Sequence, residues 1–163
     1  MKTLLIMRHA KSSWKEGAQS DEQRPLNKRG QRDAPRMGQL LREAGLVPQV
    51  VLSSTAERAR QTALAVAEAC GFEGEIQFDA NLYAAAPEAY LAALHGLPAE
   101  TQIALVIGHN PGVEALFEEL TGEDEHLSTG SIARVELPIE NWTDLVAETE
   151  ARLESLWRPR EQP

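Results

Sequence analysis

The stretch LLIMRHAKSSW, residues 4–14, sets the fold problem. Its apolar run from Leu4 to Met7 reads as a buried strand and ends directly on Arg8 and His9. A guanidinium and an imidazole are costly to bury unless something pairs with them. Either the fold supplies that partner, or an anion arrives from outside.

Outward from this strand, taken as Lys2 to Met7, the polar stretch from His9 to Pro25 fits neither period and reads as a loop. Asn27 can cap a helix that carries Met37, Leu40 and Leu41 and ends at Gly45. PQVVLSS, residues 48–54, is a second strand. A helix follows from Thr55, with Ala59, Thr62, Ala63, Val66, Ala67 and Cys70 on one face and a stop at Gly71. A weaker strand covers Glu75 to Phe78, and Pro87 opens a short helix through Leu94. QIALVIGH, residues 102–109, is the clearest strand. Pro111 starts a helix running to Gly122, and Ser131 to Leu137 alternates as a strand does. ARLESLW, residues 151–157, fits either a helix or a last edge strand, and the Arg-Pro after Trp157, which ends pairing, favours the strand. Strands alternating with helices imply an α/β layer architecture with a largely parallel sheet. With no repeat, low-complexity tract or linker, a single domain over 1–163 is expected.

A chain of 163 residues can bury a core without a metal or disulfide staple. Its one cysteine, Cys70, cannot form an internal bridge and reads as a buried, idle thiol, which suits a reducing compartment. Too few apolar residues precede Arg8 for a secretory core or a membrane span, so the cytoplasm is the expected location. Lys and Arg number 16 against 25 Asp and Glu, a net charge of −9, which argues against nucleic acid and anionic membranes as partners. The positive residues are uneven, however. Arg24, Lys28, Arg29, Arg32, Arg36 and Arg42 form either a solvated helix face or a local field that guides an anion inward.

In open α/β sheets, ligands collect outside the carboxyl ends of the strands. Three such ends release Arg8-His9, SSTAERARQTA (53–63) and GHNPG (108–112). If they lie together, Arg8, His9, Arg58 and His109 converge on an anion with several oxygens, since guanidinium forks match phosphate. Helix N-termini expected at Thr55 and Pro111 would add amide donors. Lys11, Ser12 and Ser13 are placed to line the mouth of that site. Asn110 is expected to cap the next helix and to stand within reach of substrate. Arg60, His95 and His126 read as surface residues. No metal is expected: no carboxylate or cysteine stands at ligand spacing from His9 or His109, and Arg8 would repel a cation.

RHAKSSW, RPLNKRGQRDAPRMG, SSTAERARQTA and GHNPGVE, in that order, resemble the histidine phosphatase superfamily with its phosphoglycerate-mutase-like fold. The likeness is greatest to the short SixA-type phosphohistidine phosphatases. It runs from Leu4 to about Glu114 and implies a three-layer α/β/α sandwich. It also implies a nucleophile at His9, phosphate ligands at Arg8 and Arg58, and a contact from His109 to the phosphoryl oxygens, with no metal or organic cofactor. The chemistry is coherent on its own terms. Phosphoryl transfer depends on positioning and positive donors, and a neutral imidazole can hold the group covalently and split one hard step into two.

Phosphomonoesterases of this superfamily use a carboxylic acid after the third strand to protonate the leaving group. The corresponding stretch, DANLYAAAPEAYL (79–91), offers only Asp79 and Glu88, and Glu88 is more simply a first-turn residue favouring its helix. The expected substrate is therefore phosphohistidine in a protein, or a small phosphorylated metabolite. The alternatives are a phosphomonoesterase with Glu88 or Asp79 as acid, and a non-catalytic phosphate- or partner-binding module.

Overall fold

The computed structural model describes residues 1–14 and 20–162. Strands β1 (Lys2–Arg8), β2 (Val50–Ser53), β3 (Gln77–Phe78), β4 (Ile103–Gly108), β5 (Ile132–Leu137) and β6 (Arg152–Trp157) form one sheet, ordered β3-β2-β4-β1-β5-β6. The pairs β2–β3, β2–β4 and β1–β4 are parallel, whereas β5 and β6 join antiparallel. Elements from both ends of the chain thus share one sheet. The C-terminal segment is the edge strand its sequence suggested. The loop expected from His9 to Pro25 includes residues 15–19, which lie outside the described residues; what is described of it holds only a short turn and an isolated bridge from Ser12 to Leu26.

Four helices cover the two faces: α1 (Lys28–Glu43), α2 (Glu57–Cys70), α3 (Pro87–His95) and α4 (Gly112–Thr121). The alternation of side chains along β1 assigns them. Leu5 and Met7 pack with Met37 and Leu41 of α1 and with Ala63 and Val66 of α2. Leu4 and Ile6 point the other way, to Tyr90 and Leu94 of α3 and Leu116 and Phe117 of α4. The result is a three-layer α/β/α sandwich whose central strands are buried on both faces, which is why β1 and β4 are continuous apolar runs. Asn27 caps α1 as expected, its side chain accepting from the Gly30 amide at 2.9 Å. Among the described residues, no helix is long and apolar enough to cross a membrane.

Two helix starts differ from expectation. Helix α2 begins at Glu57 rather than Thr55, because the Ser54 hydroxyl takes the Ala56 amide at 3.2 Å and turns the chain before the helix can form. Asn110 does not cap α4; Pro111 holds that position, and the Asn110 amide reaches sideways to other partners.

Candidate active site

Parallel pairing brings three strand ends to one level: Arg8 lies beside Gly108, and Ser53 beside Ile107. Each chain therefore leaves the sheet at the same edge. His9 and Ser54 stay attached there through their amides, to the carbonyls of Gly108 (3.0 Å) and Ile107 (3.1 Å). Gly108 has no room for a side chain, since a Cβ there would fall on the Tyr90 hydroxyl. Tyr90 of α3 thus packs directly against this strand end.

The cavity at this edge holds about 170 Å³ and is lined by Arg8, His9, Lys11, Ser12, Arg24, Arg58, His109, Asn110 and Thr129. The four side chains singled out for catalysis thus meet, with Lys11, Ser12 and Asn110 beside them; Ser13 is not among the lining residues. Glu88 is exposed on the first turn of α3, and Asp79 accepts from the Asn81 amide at 2.9 Å. Neither reaches the cavity, and no described residue lining it is acidic.

His9 is buried, and its Nδ1 lies 2.7 Å from the Ala10 carbonyl oxygen. A carbonyl can only accept, so Nδ1 carries the hydrogen and Nε2 keeps a lone pair. Ala10 is itself fixed, its amide donating to Thr62 Oγ1 at 3.0 Å while that hydroxyl donates to the Arg58 carbonyl at 2.7 Å. Burial, reinforced by His109 and the arginines, depresses the His9 pKa to about 3. The ring is neutral at pH 7 and available as a base or nucleophile.

His109 stands with its ring centroid 5.1 Å from that of His9. Its Nε2 meets Ser54 Oγ at 2.8 Å. That oxygen also accepts from the Ala56 amide, and when its own hydrogen points to Nε2 the ring hydrogen sits on Nδ1. Burial, with Arg58 next in effect, lowers the His109 pKa to about 4. A neutral His109 in this tautomer is a donor toward an oxyanion.

Among the described residues, five buried side-chain polar atoms lack a hydrogen-bond partner: Arg8 Nε, Arg24 Nε, Arg58 Nε, His109 Nδ1 and Asn110 Oδ1. All belong to residues lining this one cavity. Buried polar groups are ordinarily paired; these are concentrated here, mostly as donors on cationic groups, an arrangement that an anion with several oxygens would satisfy. No group of three or more His, Cys, Asp or Glu side chains is gathered as metal ligands among the described residues.

Several contributors were not singled out as site residues in the sequence. Arg24 reaches the cavity, held by Ser12 Oγ at 2.6 Å. Its place in the RPLNKRG segment could have flagged it. The other arginines of that run behave as a helix surface: Arg29 and Arg32 pair with Asp33. Asp21 binds Arg58 at 2.9 Å, the partner that local spacing would have assigned to Glu57; Glu57 instead meets Arg60 at 3.5 Å. Glu114 Oε2 gathers Asn110 Nδ2 (2.7 Å), the Leu127 amide (2.8 Å) and exposed His126 (2.8 Å). The Leu127 carbonyl in turn accepts from Arg8 Nη1 at 3.1 Å. His95 is exposed and bonds the Leu145 carbonyl, away from the cavity.

The family model of the histidine phosphatase superfamily (branch 1) matches residues 4–85. A chloroplastic protein of Arabidopsis thaliana is 31% identical over 159 residues, covering 88% of this chain and 70% of its own. A solved structure described as a candidate phosphohistidine phosphatase SixA, from Nakamurella multipartitia, superposes with a TM-score of 0.85 at 31% identity, over 97% of this chain and 96% of that one. The protein histidine phosphatase SixA complexed with tungstate gives 0.83 at 26% identity, over 98% of each chain.

Proposed function

Because this chain belongs to branch 1 of the histidine phosphatase superfamily, we propose that it hydrolyses phosphohistidine through a covalent phosphoryl intermediate on His9. The observation that carries the reading is the bond from His9 Nδ1 to the Ala10 carbonyl, which leaves the Nε2 lone pair free in a cavity ringed by Arg8, Arg24, Arg58 and His109. In the first step Nε2 forms a bond to phosphorus while the bond to the leaving nitrogen breaks. The guanidiniums and His109 take up the charge on the equatorial oxygens. Water then attacks phosphorus, the bond to His9 breaks, and orthophosphate departs with the water's oxygen. Its displaced proton passes to solvent.

The leaving group supports phosphohistidine over an ester. An alkoxide needs a proton as it departs, yet no described residue lining the cavity is acidic. The nearby Asp21 carboxyl is held at about 2, chiefly by the Tyr83 hydroxyl and then Arg58, so it is ionised and cannot donate. A departing imidazole takes its electron pair onto one nitrogen and a solvent proton onto the other. No acid inside the site is required. A cavity of about 170 Å³ is also smaller than sites that enclose a whole organic ligand, roughly 300 Å³ and above. It suits a phosphoryl group whose carrier, such as a protein side chain, stays outside.

Turnover of phosphoramidate and of glycerol 2-phosphate, an alkyl ester whose leaving oxygen needs a proton, tests this reading without added metal. Phosphoramidate is expected to react faster by about 10²-fold, the scale of a missing general acid. Equal rates would support a phosphomonoesterase. Orthophosphate binding without turnover of either would support a phosphate-binding module.

A further inference from the structure

We infer that Asp21 is a positioning residue, which grips one edge of the Arg58 guanidinium and so fixes the edge offered to the phosphoryl group. The inference rests on Arg58 being a phosphoryl ligand, as proposed above. Arg58 lies on the first turn of α2 with its side chain only 6% exposed, whereas Asp21 is 43% exposed on the loop between β1 and α1. Arg58 Nη1 donates to the Asp21 carbonyl oxygen at 2.6 Å, and Nη2 to Asp21 Oδ2 at 2.9 Å. The same Oδ2 accepts from the Tyr83 hydroxyl at 2.6 Å, and Oδ1 accepts from Arg24 Nη2 at 3.3 Å. One carboxylate therefore binds two of the cavity's three guanidiniums.

A guanidinium offers five N–H groups in one plane. Asp21 takes one hydrogen from each Nη, at the end of the fork. The remaining edge, with the unpartnered Nε–H and a neighbouring Nη–H, is the one with two parallel donors still available. Tyr83 completes the arrangement. Its hydroxyl anchors Asp21, and its ring stands edge-on to His109 at 5.6 Å between centroids and 86°. Asp21 and Tyr83 do not line the cavity themselves, so they act through Arg58 and His109. The carboxylate has two opposed effects on a phosphate dianion: it orients Arg58, and it repels the ligand. Its loss should therefore harm turnover more than ground-state binding.

The loop has an anchor that does not involve this side chain, since the Glu57 amide bonds the Glu22 carbonyl at 2.8 Å. The test compares wild type, D21N and D21A, with phosphoramidate as substrate, orthophosphate as competing ligand, and the Arg58 Nε–H resonance followed by NMR. The kcat is expected to fall about tenfold in D21N and about a hundredfold in D21A, while the orthophosphate inhibition constant stays within about threefold or tightens. The Arg58 Nε–H signal should shift with orthophosphate in wild type and broaden in D21A. Values of kcat within about twofold of wild type in both variants, or an unchanged Nε–H signal, would overturn the inference, as would orthophosphate affinity falling in step with kcat. Wild-type protein that binds orthophosphate without turning over phosphoramidate would refute the phosphatase reading instead, and calorimetry with the Nε–H signal would still decide the role of Asp21.

Discussion

Thr62 on α2 holds the backbone that orients His9: its hydroxyl accepts from the Ala10 amide at 3.0 Å, and the Ala10 carbonyl accepts from His9 Nδ1 at 2.7 Å. Thr62→Val keeps the shape of this side chain but leaves a buried amide without a partner. Stability is expected to fall by about 1–3 kcal/mol, and phosphoramidate turnover by about tenfold or more as His9 loses its fixed direction. Urea unfolding and steady-state kinetics measure the two. Unchanged activity would show that Ala10 needs no such support.

Both histidines are depressed by burial, to about 3 for His9 and about 4 for His109, against 6.5 when exposed. Between pH 6.5 and these values the unfolded chain binds protons that the folded chain refuses, so stability is lost as the pH falls through that window. Acidification should also leave His9 neutral long after an exposed histidine has charged. The acid limb of kcat/KM, which reports the free enzyme, is expected below pH 5. A limb centred near 6.5 would mean that His9 is not the group being protonated.

Arg58→Lys retains the charge and loses the planar fork. A lysine cannot bond Asp21 through one edge and present a second pair of donors. A loss of about 10²-fold in kcat/KM is expected, the scale of one transition-state donor removed. Steady-state kinetics giving near wild-type values would show that charge alone suffices at this position.

An oxyanion that engages the unpartnered donors of Arg8, Arg58 and His109 binds only the folded chain. Tungstate at a hundred times its dissociation constant should stabilise by about 2.7 kcal/mol, or roughly 5–10 °C for a domain of this size. Thermal melting of wild type and Arg8→Met measures this. The shift should be largely lost in the variant, and an equal shift in both would place the anion elsewhere.

Much of this site could be read from short segments because strand ends announce themselves. The apolar runs of β1 and β4 stop on Arg8-His9 and on His109, and the parallel register brings those ends together. The Asn27 cap was equally local. What could not be read depends on contacts across the fold. Asp21 lies in an aperiodic loop and meets Arg58 37 residues later. Thr129 reaches the cavity from another irregular segment. Asn110 looked like a cap by its place before Pro-Gly, yet its amide serves Glu114 and Leu127, and only tertiary packing decides that choice. The start of α2 departs from the local pattern for the same reason, since Ser54 bonds both its own turn and a histidine 55 residues away.

The central claim is that phosphorus becomes bonded to His9 during turnover. Rapid acid-free quenching of the protein with ³²P-labelled phosphoramidate, followed by peptide mapping, tests it most directly. The account expects acid-labile, base-stable label on the peptide containing His9, and its absence from His9→Ala together with a loss of turnover of about 10³-fold or more. Label that persists in His9→Ala, or turnover that survives without it, would contradict the account.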